Sequence, residues 1–162
     1  MSADLAPENA PAALVTSARE LTNGKLELRV ANRDSVQARL GDRHWAALEP
    51  ERRLYPTPES LRRLAASAGL RIEDVSTPPS ARTQAWMWQT ILNALTFHEN
   101  FVRDVRAARL RPRGRPLRFT IDAIVSAIAA IPAALVSTPL ELVAALAGRG
   151  GELVAIASRA SA

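Results

Sequence analysis

The chain has 162 residues, 48% of them hydrophobic and 23% charged, a balance that suits one globular domain and excludes a disordered or fibrous class. With no cysteine, disulfides and thiolate metal sites are ruled out, and two histidines far apart in sequence, His44 and His98, do not suggest a metal centre. The formal charge of +5 is local: residues 103–118 hold seven arginines against one acid, Asp104, a segment charge of +6.

Residues 1–13 are rich in Ala and Pro and lack both a basic start and an apolar core, so they read as a flexible tail and not as a secretory signal. Residues 14–21 suit the end of a helix. Asn23-Gly24 then supplies a tight turn, and Leu26, Leu28 and Val30 alternate with Lys25, Glu27 and Arg29, predicting a half-buried strand over 25–31. Asn32-Arg33-Asp34-Ser35 ends that strand and can cap a short helix at 35–40. A polar loop follows, carrying His44, Trp45, Arg52, Arg53 and Tyr55. Thr57-Pro58-Glu59 opens a helix with Leu61, Leu64, Ala65 and Ala68 on one face, and Gly69 closes it.

Residues 70–76 predict a second strand, stopped by Thr77-Pro78-Pro79. From Arg82 to about Arg109 the period is helical, with Trp88, Ile91, Leu92 and Leu95 as one stripe and Phe101, Val102 and Val105 as another. Trp86, Met87 and Trp88 together suggest a deeply packed helix start. Pro112, Gly114 and Pro116 make the arginine-rich stretch a loop. Its charge suits either attraction to anionic lipid or phosphate, or plain solvation in a chain with 20 Arg and one Lys. No motif for sequence-specific nucleic acid binding accompanies it. Ala123 to Leu140 is an uncharged run between Asp122 and Glu141, close to the length of a membrane span. Pro132 and the start signal Thr138-Pro139-Leu140-Glu141 predict two short apolar helices there, covering a sheet or pocket, with interfacial anchoring as the other reading. After a turn at Gly148 to Gly151, residues 152–158 predict a last strand.

Taken together, Asn23-Gly24, Ala31-Asn32, Asp34-Ser35, Ala38-Arg39-Leu40-Gly41, Trp45, Pro50, Leu54-Tyr55 and Thr57-Pro58-Glu59-Ser60-Leu61 form an ordered series. This series resembles the region after the fifth strand of class I S-adenosylmethionine-dependent methyltransferases, in the branch with a hydrophobic C-terminal helical insert. The resemblance spans roughly residues 14–160. Ala31 stands where the family has Pro, the Phe before Gly41 is absent, and Arg53 stands where the family has His.

The resemblance implies the C-terminal part of a Rossmann-like α/β fold. Strands 25–31, 152–158 and 70–76 would be neighbours in that order, the last strand antiparallel between the other two, with a mostly helical insert at 82–147. Domain organisation would be the 1–13 tail and a partial methyltransferase domain at 14–162, with an open edge on strand 25–31 where a fourth strand belongs. His44, Trp45, Arg53 and Tyr55 would form the substrate-side wall, with His44 as a base, Arg53 holding an anion and the two rings lining a pocket. The same cluster also reads as a surface loop anchored by Trp45. No glycine-rich turn follows a strand, so S-adenosylmethionine is the family's cofactor but is not expected to bind this chain alone, and no metal is expected. The implied partners are a complementing N-terminal half or a second copy, and a truncated or degenerate copy would be inactive alone. The reading from another class is a small cytoplasmic protein held at an anionic membrane by residues 103–118 and the apolar helices of 119–147.

Overall fold

A computed structural model describes residues 2–4, 24–48, 54–111 and 116–160. Its elements run β1 (Ser2–Asp4), β2 (Leu26–Ala31), α1 (Val36–Gly41), α2 (Pro58–Ser67), β3 (Leu70–Ser76), α3 (Ala81–Asn93), α4 (Phe101–Arg106), α5 (Pro116–Leu146) and β4 (Glu152–Arg159). The architecture is mixed α/β. β2, β4 and β3 form an antiparallel trio, with Leu28 opposite Ala155 and Val75 opposite Ala155 on the other side. β1 adds to β2 in parallel, giving the order β1-β2-β4-β3. The edge of β2 expected to stand open therefore carries a strand. The reversed β4 also departs from the all-parallel order of the classical doubly wound sheet.

Period-2 patterning builds this layer. Leu26, Leu28 and Val30 point to one face, where they meet Leu153, Ala155 and Ala157 of β4 and Leu61 and Ala65 of α2 in one apolar cluster. α2 starts as its sequence demands: Thr57 Oγ1 accepts from Ser60 N–H at 3.2 Å, and Ser60 Oγ accepts from Thr57 N–H at 2.8 Å. Gly69, at φ +77°, turns the chain directly into β3, a conformation that a side chain would strain.

Asn32, just past β2, spends its polar groups fixing the next turn. Its side chain donates to Gly150 O at 2.9 Å and accepts from Asp34 N–H at 3.0 Å, while Ser35 Oγ accepts from Ala38 N–H at 3.1 Å to start α1.

The helical stretch from Arg82 to Arg109 is two helices, α3 and α4, one for each apolar stripe, joined by a turn in which Asn100 takes φ +56°. Two helical expectations need correction. The buried face of α3 carries Met87 and Leu92, whereas Trp86, Trp88 and Ile91 are half-buried and Leu95 is exposed, so the helix start is less deeply packed than its aromatics suggested. Pro116–Leu146 is one 31-residue helix and not two short ones. Thr138 does not cap a new start because its hydroxyl donates back to Ala134 O at 3.1 Å, inside the continuing helix. The arginine-rich stretch is helix at both ends, in α4 and at the start of α5, and residues 112–115 lie outside the described ones.

Candidate functional site

The loop after β2 places the candidate residues in different settings. Trp45 is fully buried, donates from Nε1 to Gln37 Oε1 at 3.3 Å, and packs its ring 5.3 Å from that of Tyr55. Tyr55 in turn donates from its hydroxyl to Ala47 O at 3.2 Å. This pair anchors the loop on the domain, with the Trp45 ring sealed from solvent and Tyr55 half-buried beside it. His44 is half-buried. Its Nε2 accepts from Arg43 Nε at 3.1 Å, and Nδ1 lies 3.6 Å from Glu99 Oε1 with no hydrogen bond. With Nε2 engaged by a guanidinium, His44 is not presented as a general base. Arg53, with Arg52, lies outside the described residues.

Sequence reasoning passed over a buried polar network behind Trp45. Glu141, on α5, is fully buried; Oε1 accepts from Gly151 N–H at 2.9 Å and Oε2 from Gln37 Nε2 at 3.1 Å. Burial pushes the Glu141 carboxyl above its ordinary range, opposed by hydrogen bonds from Gly151, Thr83 and Gln37. A Cβ on Gly151 would sit 1.7 Å from Gln37 Nε2, so only glycine lets the chain pass this close. Glu152 beside it is also buried and bridges Arg82 at 3.3 Å and Arg29 at 3.7 Å. The network ties β2, α1, α5 and β4 at the carboxyl ends of the parallel strands β1, β2 and β3.

A second buried acid, Asp122, holds the turn before α4. Its Oδ1 accepts from Phe97 N–H at 2.7 Å, while Oδ2 takes His98 N–H at 3.1 Å and lies 2.6 Å from His98 Nδ1. Here His98 is oriented by a carboxylate. The sequence signal was present: Asp122 and Glu141 are the two acids bounding the uncharged run.

Beside α3 a groove of about 510 Å³ is bounded by Trp86 and Trp88, with Arg82, Arg103 and Arg106 at its rim. Arg82 stacks 4.8 Å from the Trp86 ring centre, and Trp88 Nε1 donates to Ala130 O on α5 at 2.9 Å. The two tryptophans therefore line a concave surface, which the stripe reading assigned to core.

α5 reverses the usual amphipathic order. Its buried stripe is Asp122, Ser126, Ala133, Ser137, Glu141 and Ala144, polar or small throughout. Its free face carries Leu117, Ile121, Ile124, Ile128, Ile131, Leu135, Leu142 and Leu146, with Ile128 73% and Ile131 71% exposed. The helix is long and apolar enough to cross a membrane by length and composition.

Among the described residues no glycine-rich turn joins a strand end to a helix, and the turn after β2 is closed on itself by Asn32. Nor do three His, Cys, Asp or Glu side chains converge among the described residues in a way that could hold a metal ion. No family model, no curated protein and no solved structure matches the chain.

Proposed function

We propose that the chain is the substrate-side, C-terminal part of a Rossmann-like methyltransferase domain, whose S-adenosylmethionine is held by residues other than these. The observation that carries this reading is the strand arrangement: β2 and β3 run parallel, β4 lies reversed between them, and β1 continues the sheet beyond β2. The resemblance implies that order for the last strands of the domain. The carboxyl end of β2 and the facing start of β4, on the side where open α/β sheets take their ligands, meet the Asn32 turn, Glu141 and Arg82. On this reading Trp45 and Tyr55 brace the substrate side instead of touching the acceptor. The partner that completes the domain is an N-terminal half or a second copy. The test is calorimetry and thermal shift with S-adenosylmethionine, on the chain alone and with the polypeptide encoded directly upstream. Stabilisation of the pair, and none of the chain alone at millimolar ligand, is expected. Saturable binding by the chain alone overturns the reading.

A second reading is favoured by the free face of α5. An uncharged run of about 27 Å, at 1.5 Å per residue, faces outward with Ser126 and Ser137 turned in and Thr138 exposed, its hydroxyl returned to Ala134 O, and in sequence the run follows an arginine-rich stretch. On this reading the chain is a cytoplasmic protein whose α5 lies along an anionic membrane surface. The helix does not cross the bilayer, because its inner stripe is occupied by α3 and by the buried acids. Flotation with phosphatidylserine-containing vesicles should retain the chain at low salt, and retention that ignores both salt and lipid charge would sink the idea.

A further inference from the structure

The groove beside α3 is the one concave surface described above whose polar groups are left unspent. Gln89, almost fully buried, donates from Nε2 to Asn93 Oδ1 at 2.9 Å, which leaves its Oε1 without a partner among the described residues. Asn100 accepts at Oδ1 from Asn93 Nδ2 at 3.3 Å, and its own Nδ2 is likewise unspent. Both residues line the groove. Asn100 sits there in the left-handed region, φ +56°, held by its backbone N–H to Asn93 Oδ1 at 2.7 Å. Asparagine takes this conformation readily, and here it opens α4 with its side chain beside the groove. The walls are apolar and flat: Trp86, Trp88, Ala85 and Val102.

Charge at the rim is of one sign. Arg82 is bound to Glu152, and Arg103 lies 3.3 Å from Asp104, but Arg106 is exposed and meets no carboxylate among the described residues. A cleft with aromatic walls, a donor and an acceptor at its floor and a guanidinium at its mouth selects a particular chemistry. A purely apolar ligand would leave Arg106 and the floor amides unanswered. An inorganic anion would leave the tryptophans bare.

We propose that this groove binds an amphipathic anion: a flat or acyl apolar body seated between Trp86 and Trp88, with a carboxylate or phosphate met by Arg106. The binding itself does not rest on the methyl-transfer reading. If that reading holds, the anion is the acceptor class, since Arg82 at one side of the groove is tied to Glu152 at the ligand-binding end of the sheet.

The probes are naphthalene-2-carboxylate, octyl phosphate and the neutral naphthalene-2-methanol, titrated into the full chain by calorimetry without S-adenosylmethionine. Both anions should bind saturably, with the neutral isostere about tenfold weaker. Arg106→Gln should weaken the anions by about five- to tenfold and leave the neutral probe unchanged. Ala85→Phe, which fills the groove from an exposed helix position, should abolish binding of all three. Ile131→Glu, on the free face of α5, should leave all three affinities as they are. Melting curves on each variant separate loss of the site from loss of the fold. No binding by any probe, equal affinity for neutral and anionic probes, or loss of binding in Ile131→Glu would each overturn the assignment. Because no cofactor is present, failure here leaves the methyl-transfer reading standing.

Discussion

The sheet layer and α5 are built from the same apolar residue types and use them in opposite senses. In the sheet layer Leu26, Leu28, Leu153 and Leu61 are sealed from water, while Lys25 is exposed and Glu27 and Arg29 lie half-buried on the other face. In α5 the isoleucines face out, while Asp122, Ser126, Ser137 and Glu141 are sealed inside. Burial of apolar surface is the dominant favourable term for the first region and is not realised by most of the second. A helix so arranged is held to its domain by hydrogen bonds and small-residue contact: Gly151 N–H and Gln37 to Glu141, the 97–98 backbone to Asp122, and Trp88 to Ala130 O. The sheet layer therefore fixes the fold, and α5 offers a surface.

The contrast is broken most severely at the sheet. Leu28 lies between β4 and α2 with no exposed surface, so Leu28→Ala should cost about 2–5 kcal/mol, read as the shift of a urea midpoint at unchanged slope. Next comes Gly151→Ala, where the new methyl must displace Gln37 from Glu141 and from Trp45 Nε1. A loss of about 1–3 kcal/mol is expected, appearing as a fall in melting temperature of about 2–12 °C. Near-wild-type stability would mean that the network is slack and that α5 is held by something else.

How far this was legible in the sequence follows the same divide. β2, β3 and β4 were read from period-2 alternation and turn residues, and the boundaries moved by only a residue, because local pattern and tertiary burial ask for the same thing there. The pairing of β1 was not readable, since Ser2-Ala3-Asp4 has no apolar alternation and gains its strand form from the β2 edge. α5 was misread for a physical reason: Thr138-Pro139 carries a start signal, but the Thr138 hydroxyl is spent on Ala134. The network around Glu141 joins Gln37 to a residue far along the chain, so no spacing announces it. His44, Trp45 and Tyr55 do fall in one loop, but Trp45 and Tyr55 meet each other and the backbone, and the aromatic surface left open to a ligand is that of Trp86 and Trp88.

Glu141 gives the contrast a pH signature. Its folded-state pKa is raised above the ordinary carboxylate value by burial, so over a window that starts at that ordinary value, near 4.5, and extends upward the folded chain binds more protons than the unfolded one. Stability attributable to this group is therefore greatest below that window and falls as pH rises through it, levelling off above the raised pKa. Glu141→Gln removes the titrating group and should flatten the melting temperature against pH across that range. Glu141→Leu should cost about 1–3 kcal/mol at every pH by leaving the Gly151 N–H unsatisfied. An unchanged slope in Glu141→Gln would place the acid-range dependence on other carboxylates.

The smallest expected effect on stability is the most telling about surface. Ile128 and Ile131 are each more than two-thirds exposed, and their removal opens no cavity, so Ile128→Ser with Ile131→Ser should change the unfolding free energy from urea titration by less than about 0.5 kcal/mol. In a water-facing helix that substitution would be silent in every assay. On the membrane-surface reading it should also lower vesicle retention at low salt, because the lost apolar area would be area offered to the acyl region and not to the domain. If instead the double variant melts well below the parent protein, these isoleucines are covered in solution, and sedimentation at rising concentration would then show an assembly of copies that the substitution dissolves. The two outcomes separate a helix whose free face meets lipid from one whose free face meets another copy of the same helix, and either one explains why the isoleucines of α5 face outward while Asp122, Ser126, Ser137 and Glu141 lie inside.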